Sequence, residues 1–320
     1  MSGTVSALGV GLLGRALRGA GVGLLAAAIA ASYPLLIVPD GALLSETLYG
    51  PALILVLAVA LALARRPGVG WGVLLGATVG VAALVRSEAL GLVVLLGLPL
   101  AWRGPPGVGR ALRLVTILAS ALVVISPWVI RNENALGALT LSTNDGVTLA
   151  FTNCASTYYG PNLGYLDGHC VPQLSGGEAQ QSAMLQRQGL HYATHHAGRL
   201  PVVLLARLAR TWGLFHPFRG SFAAGRNVTI SNLGVVLYYP LAALAIAGTW
   251  FLRRRRAKLW VLLAPILLTD LVVVATYGSL RERYLAELPL VLLAAVGAGA
   301  LADRWRLRSR AQPVPDAAPI

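Results

Sequence analysis

The chain is short of almost everything that keeps a soluble domain in water. Of its 320 residues only 12% are charged, against about a quarter in an average soluble domain, and the mean hydropathy is +0.70. That composition excludes an ordinary soluble fold. Acids are scarcer than bases, 12 Asp and Glu against 26 Lys and Arg, for a formal charge of +14. There is a single lysine, Lys258, and no function is read from the bias toward arginine. Two cysteines leave room for one disulfide. The basic excess would suit nucleic acid if it formed a continuous patch, but the charges sit in short blocks at the ends of apolar runs, so nucleic acid is excluded as a partner.

What the chain does have is eight apolar runs, at 20–38, 47–64, 70–85, 88–102, 112–130, 231–252, 259–278 and 284–302. About 20 apolar residues at 1.5 Å each cross a hydrocarbon core, and backbone in lipid satisfies itself only as a helix or a closed barrel. The runs therefore predict an all-α, multi-pass bundle. Threaded alternately, they put Arg15, Arg18, Arg65, Arg66, Arg103, Arg110, Arg113, the block 253–256, Lys258, Arg304, Arg306, Arg308 and Arg310 on one side, with only Asp303 and Asp316 as acids. Basic loops stay in the cytoplasm. The expected location is a bacterial cytoplasmic membrane, with 131–230 outside and the C-terminus inside.

The organisation predicted is an N-terminal membrane part over 1–130, an extracytoplasmic loop region over 131–230, C-terminal spans over 231–302 and a disordered tail over 303–320. Residues 1–14 are too short to cross and read as the last half of a span. Gly9, Gly11 and Gly14 spell GxGxxG, but no strand precedes them as a dinucleotide site requires, so they read as small-residue helix packing. Gly72, Gly76 and Gly80 predict a second close helix contact. Cys154 and Cys170 both fall in the loop region and are expected to pair there. Residues 198–216 read as an interfacial helix with Arg207 and Arg210 turned to water or headgroups. His191 and His195 have metal-ligand spacing, yet no further ligand lies near in sequence; they and His196 read as surface. Asn227-Val228-Thr229 matches a glycosylation acceptor that carries no meaning in most bacteria.

Charged side chains near membrane depth each call for an explanation. Asp40, Glu46, Arg86, Glu88, Arg131, Asp270, Arg281, Glu282, Arg283 and Glu287 gather at the predicted outer edge. Such a belt suits a phosphate-bearing lipid whose head stays wet, because arginine holds phosphate oxygens in pairs. Several strings carry more. Tyr33-Pro34-Leu35 with Leu43-Leu44-Ser45-Glu46-Thr47-Leu48, then Arg86-Ser87-Glu88-Ala89-Leu90, Pro127-Trp128-Val129-Ile130-Arg131-Asn132 and Leu141-Ser142-Thr143-Asn144-Asp145-Gly146 through Asn153 occur in order. Tyr277, Arg281, Arg283, Tyr284 and Pro289 close the series. Over about 20–300 this resembles the polyprenyl-phosphate-dependent glycosyltransferases of the GT-C fold, the family 39-like proteins related to dolichyl-phosphate-mannose–protein mannosyltransferases.

The resemblance implies transfer of a sugar from a polyprenyl-phosphate donor to an extracytoplasmic glycan, lipid or protein acceptor. The family's base is an Asp of the first outer loop, which has no counterpart in the sequence given. Its second acid corresponds to Glu46, expected as the catalytic carboxylate; Glu46→Gln is expected to cut transfer at least tenfold with expression intact. Arg86, Arg131, Asn144, Arg281, Arg283 and Tyr284 are expected to bind substrate, Arg86 also tying the hairpin turn to the outer loop. A divalent metal cofactor stays open. So do two other classes, a transporter or flippase of lipid-linked intermediates, and an inactive scaffold. Transporters commonly carry inverted repeats and mid-membrane polar sites, neither of which is visible here.

Overall fold

The computed structural model describes residues 2–41, 44–103, 107–171, 175–218 and 228–310, and every regular element among them is helical. A hairpin of α1 (Ser2–Arg18) and α2 (Ala20–Ser32) is followed by α3 (Pro34–Gly41), α4 (Glu46–Arg65) and α5 (Val69–Val85). A 3-10 turn (Ser87–Leu90), a π-helical turn (Val93–Gly97) and α6 (Leu98–Ala101) form one further apolar stretch. α7 (Val108–Leu136) leads into a lobe of α8 (Asn144–Thr152), α9 (Ala155–Tyr158), α10 (Glu178–His195) and α11 (Leu200–Thr211). The chain then returns through α12 (Val228–Leu252), α13 (Arg256–Ala275) and α14 (Tyr284–Arg310). Five helices, Glu46–Arg65, Gly109–Leu136, Val228–Leu252, Lys258–Ala275 and Tyr284–Leu307, are long and apolar enough to cross a membrane. Ala20–Ser32, Val69–Val85 and Ser87–Ala101 are apolar but shorter. Together they occupy the eight runs read from the sequence.

The contacts fix which ends lie together. α1 and α4 run parallel, with the Ser2 hydroxyl on the Thr47 carbonyl at one end and Arg65 Nη2 2.6 Å from the Ala16 carbonyl at the other. α12 and α14 are also parallel, Arg283 lying against Tyr238 and Arg304 against Phe251. Arg18 pairs with Asp303 at 3.0 Å, and Lys258 Nζ reaches the Ala16 and Leu17 carbonyls at 3.4 Å. One end of the bundle thus gathers the basic blocks, and the other, called the rim below, gathers the starts of α4 and α14 and the end of α5.

Glycine lets the helices approach. A methyl on Gly76 would stand 2.0 Å from the Ile117 carbonyl oxygen, and Gly72 and Gly80 meet Thr116 and Val124 on the same face of α7. In the first hairpin Gly11 and Gly14 face α2, whereas Gly9 faces Ile54 of α4. The GxGxxG string is helix packing.

Proline inside a helix leaves the carbonyl four residues earlier without its amide donor, and in an apolar medium that oxygen needs another partner. Pro51 orphans Thr47, whose oxygen accepts from Ser2. Pro127 orphans Val123, which accepts from the Ser126 hydroxyl at 3.0 Å. Pro99 orphans Leu95 beside the π-helical turn, and the Trp260 indole N–H donates to it at 2.7 Å.

Three expectations need correction. The run 20–38 is not one helix: Pro34 pushes Tyr33 to an extended conformation, φ −79° and ψ 115°, and splits α2 from α3. The tail is not disordered from 303, because α14 continues to Arg310, steadied by the Arg18–Asp303 pair and by Arg304 over Phe251. Arg207 and Arg210 do not face water. They are 2% and 6% exposed, while Val202 and Leu205 of the same helix are 41% and 66% exposed. Arg207 donates to the carbonyls of Thr152 and Val274, at or within one residue of the last turns of α8 and α13, and to Asn153 Oδ1. Helix C-termini carry unsatisfied carbonyls and partial negative charge, which explains a buried guanidinium without a carboxylate. Arg210 Nε donates to the Leu163 carbonyl at 2.6 Å. Side chains of Asp40, Asn227, Arg308, Arg310 and Asp316, and residues 311–320, lie outside the described residues.

Candidate functional site

Three separated stretches converge at the rim. α5 ends at Arg86, whose amide still bonds to the Ala82 carbonyl while its own backbone turns extended at φ −145°. That turn aims the guanidinium back over the bundle at three carboxylates. Nε donates to Glu88, Nη1 lies 3.3 Å from Glu46 Oε1, and Nη2 lies 2.5 Å from Glu282 Oε2. Arg281 grips Glu46 from the other side through Nε and Nη2. The Tyr277 hydroxyl donates to Glu282 Oε1 at 2.8 Å, and the buried Tyr49 ring lies 5.8 Å from the Arg86 guanidinium.

The electrostatics follow from burial. Burial works against the Arg86 charge, but Glu282, Glu88 and Glu46 outweigh it, so its pKa is raised; burial likewise opposes Arg281, and Glu46 raises it. Both guanidiniums stay charged. Two guanidiniums against three carboxylates give a formal charge of −1 (2 − 3) for the network, which reaches neutrality by taking up one proton.

Exposure separates the roles. Glu46 has no exposed surface and is held by both arginines, so it locks α4 to the α5 and α14 ends. Glu88 and Arg281, with side chains 19% and 36% exposed, are the carboxylate and the guanidinium that a ligand can reach.

The remaining sequence candidates lie elsewhere. Arg283 is fully buried, bonded to Glu287 at 2.6 Å and to the Thr211 carbonyl at 3.2 Å, its guanidinium 3.7 Å from the centre of the Tyr238 ring. It ties α14 to the end of α11 and to α12. Arg131 is exposed and contacts Asn132 and the Trp128 ring. Trp128 and Asn132 hold the 140–141 segment through its carbonyls at 3.1 and 2.8 Å, so the two motif strings pack on each other. Asn144 is exposed at the start of α8, its backbone N–H donating to the Ser142 hydroxyl at 3.1 Å. Tyr284 is buried and lines a cavity of about 330 Å³ between α1, α2, α3 and α14. Sequence alone gives Glu282 and Tyr277 no part in the site; in the fold Glu282 pairs with Arg86 and Tyr277 bonds to Glu282.

In the lobe, Cys154 and Cys170 form a disulfide. His191 and His195 stack at 3.9 Å on the exposed face of α10. Among the described residues no group of three or more His, Cys, Asp or Glu is arranged to hold a metal ion. Comparison with family models, with curated proteins and with solved structures finds no match to this chain.

Proposed function

We propose that the chain is a membrane glycosyltransferase that moves a sugar from a polyprenyl-phosphate donor to an acceptor outside the cytoplasm. In this reading it sits in a bacterial cytoplasmic membrane with its basic end inside, as the concentration of arginine at that end favours. The carrying observation is the rim network, in which Arg86 bridges carboxylates from three chain segments, with Arg281 and Glu88 as its partly exposed members. As the bond from the sugar C1 to the phosphate oxygen breaks, Arg281 stabilises the charge that grows on the departing lipid phosphate. As the acceptor oxygen bonds to C1, its proton passes to Glu88. Atoms and charge balance, and the network ends neutral. Arg86 and Glu46 position these two groups.

The test is transfer from radiolabelled polyprenyl-phosphate sugars in membranes carrying the full protein. Glu88→Gln and Arg281→Gln are each expected to lower turnover at least tenfold per molecule of folded protein, Arg281→Gln with some loss of yield because it also releases Glu46. Activity of both variants equal to the parent would remove the rim from the reaction.

A further inference from the structure

A second feature lies on the flank of the bundle, away from the rim network. α1 and α4 enclose an apolar groove of about 530 Å³, lined by Leu8, Gly9, Leu12, Ile54, Leu55 and Ala58. Leu8 and Leu12 are 63% and 67% exposed. The groove runs along α1 from Val5 to Ala16 and ends at Arg65. Eleven residue steps cover about 16 Å at 1.5 Å each, close to half of a hydrocarbon core about 30 Å thick. Its length is that of one leaflet, suited to an acyl chain and too short for a long prenyl chain crossing toward the rim.

The foot of the groove decides the head group. Arg65 Nη2 and Lys258 Nζ converge on one acceptor, the Ala16 carbonyl, at 2.6 and 3.4 Å. Lys258 also reaches the Leu17 carbonyl at 3.4 Å, so the two cations meet only two neutral carbonyl oxygens at the end of α1 and no carboxylate. The only acid described at this end, Asp303, is bonded to Arg18. Adjacent like charges in a region of reduced dielectric favour a bound counter-anion, and basic pockets between membrane helices hold anionic lipid head groups. We propose that the α1–α4 groove holds one acyl chain of an anionic phospholipid whose phosphate lies between Arg65 and Lys258. The lipid belongs to the basic end and is independent of any transfer reaction at the rim.

The probe is the full chain purified in mild detergent, exposed to equimolar phosphatidylglycerol and phosphatidylcholine, and examined by native mass spectrometry. The parent is expected to retain one phosphatidylglycerol with at least fivefold preference. Ala58→Trp, which fills the groove, should abolish retention of either lipid. Arg65→Gln should keep an acyl chain but bring the preference to about one. Equal retention of the two lipids by the parent, or a polyprenyl phosphate as the retained molecule, would overturn the proposal. The parent ratio decides the matter alone if a variant does not fold.

Discussion

Arg281 donates through Nε to the carboxylate of Glu46, a residue 235 positions earlier in the chain and without exposed surface. Arg86 approaches the same carboxylate from the end of α5. Without Glu46, Arg86 keeps Glu88 and Glu282 and Arg281 is 36% exposed, so the cost is below the roughly 3–5 kcal/mol of a pair buried on both sides, but the link from α4 to α14 is lost. Glu46→Gln should therefore act first on the fold, lowering the thermal midpoint in detergent by several degrees and reducing the yield. Glu88→Gln, at a partly exposed position, should shift the midpoint much less. Equal midpoints for Glu46→Gln and the parent would show that the pair is not what joins α4 to α14. This departs from the sequence-level expectation of intact expression, because zero exposure could not be read from a residue at a span end.

The contact of α5 with α7 gives a second prediction. With the Ile117 oxygen 2.0 Å from where a methyl would sit on Gly76, even Gly76→Ala forces the helices apart, and overpacking typically costs about 1–3 kcal/mol. Gly70, where a methyl would meet nothing within 4 Å, is the control. Gly76→Ala should lower the thermal midpoint while Gly70→Ala leaves it unchanged or raises it slightly, alanine being the better helix former.

Element existence was readable because apolar length and charge placement are local properties. Five of the eight runs emerge as helices long and apolar enough to cross and three as shorter apolar helices, the first of them broken at Tyr33, while the small-residue faces and the grouping of arginines at one end emerge as read. The inside of the lobe was not readable. Arg207 and Arg210 looked like a wet edge because arginine usually is one, and only the meeting of the α8 and α13 carboxyl ends makes a dry place for Arg207. The rim was half readable: Glu46, Arg86 and Arg281 come together, while Arg131 contacts Asn132 and Trp128, Asn144 stands exposed at the start of α8 and Arg283 is enclosed. Sequence places a residue at an edge, but the direction of its side chain depends on neighbours far along the chain.

Trp260 and Leu95 supply a third prediction. Pro99 removes the amide that would have met the Leu95 carbonyl, and the indole takes its place at 2.7 Å. Trp260→Phe keeps an aromatic ring but no donor, and an unsatisfied buried acceptor costs about 1–3 kcal/mol. The double variant Trp260→Phe with Pro99→Ala restores a backbone donor and should recover part of the loss. A double-mutant cycle on thermal midpoints checks this; additive losses would mean that the indole does not answer the proline.

The lobe carries a titration that can be followed separately. Asp167 accepts from the His169 amide at 3.0 Å and from Asn162 at 3.2 Å inside the loop closed by the Cys154–Cys170 disulfide. Hydrogen bonds, that from Ser156 first and then that from the His169 amide, hold its pKa down at about 2, against about 3.9 for an unperturbed aspartate. A carboxyl whose folded pKa is depressed stabilises the fold fully above its unfolded pKa and loses that contribution as pH falls through the folded one. The difference in unfolding free energy between the parent and Asp167→Asn should therefore be constant above about pH 5 and shrink steadily from about pH 4 to pH 2. Hydrogen exchange at the His169 and Asp167 amides, followed by mass spectrometry on the intact protein, gives the local measure. A parent–variant difference independent of pH over that window would mean that the carboxylate's charge plays no part in ordering the loop.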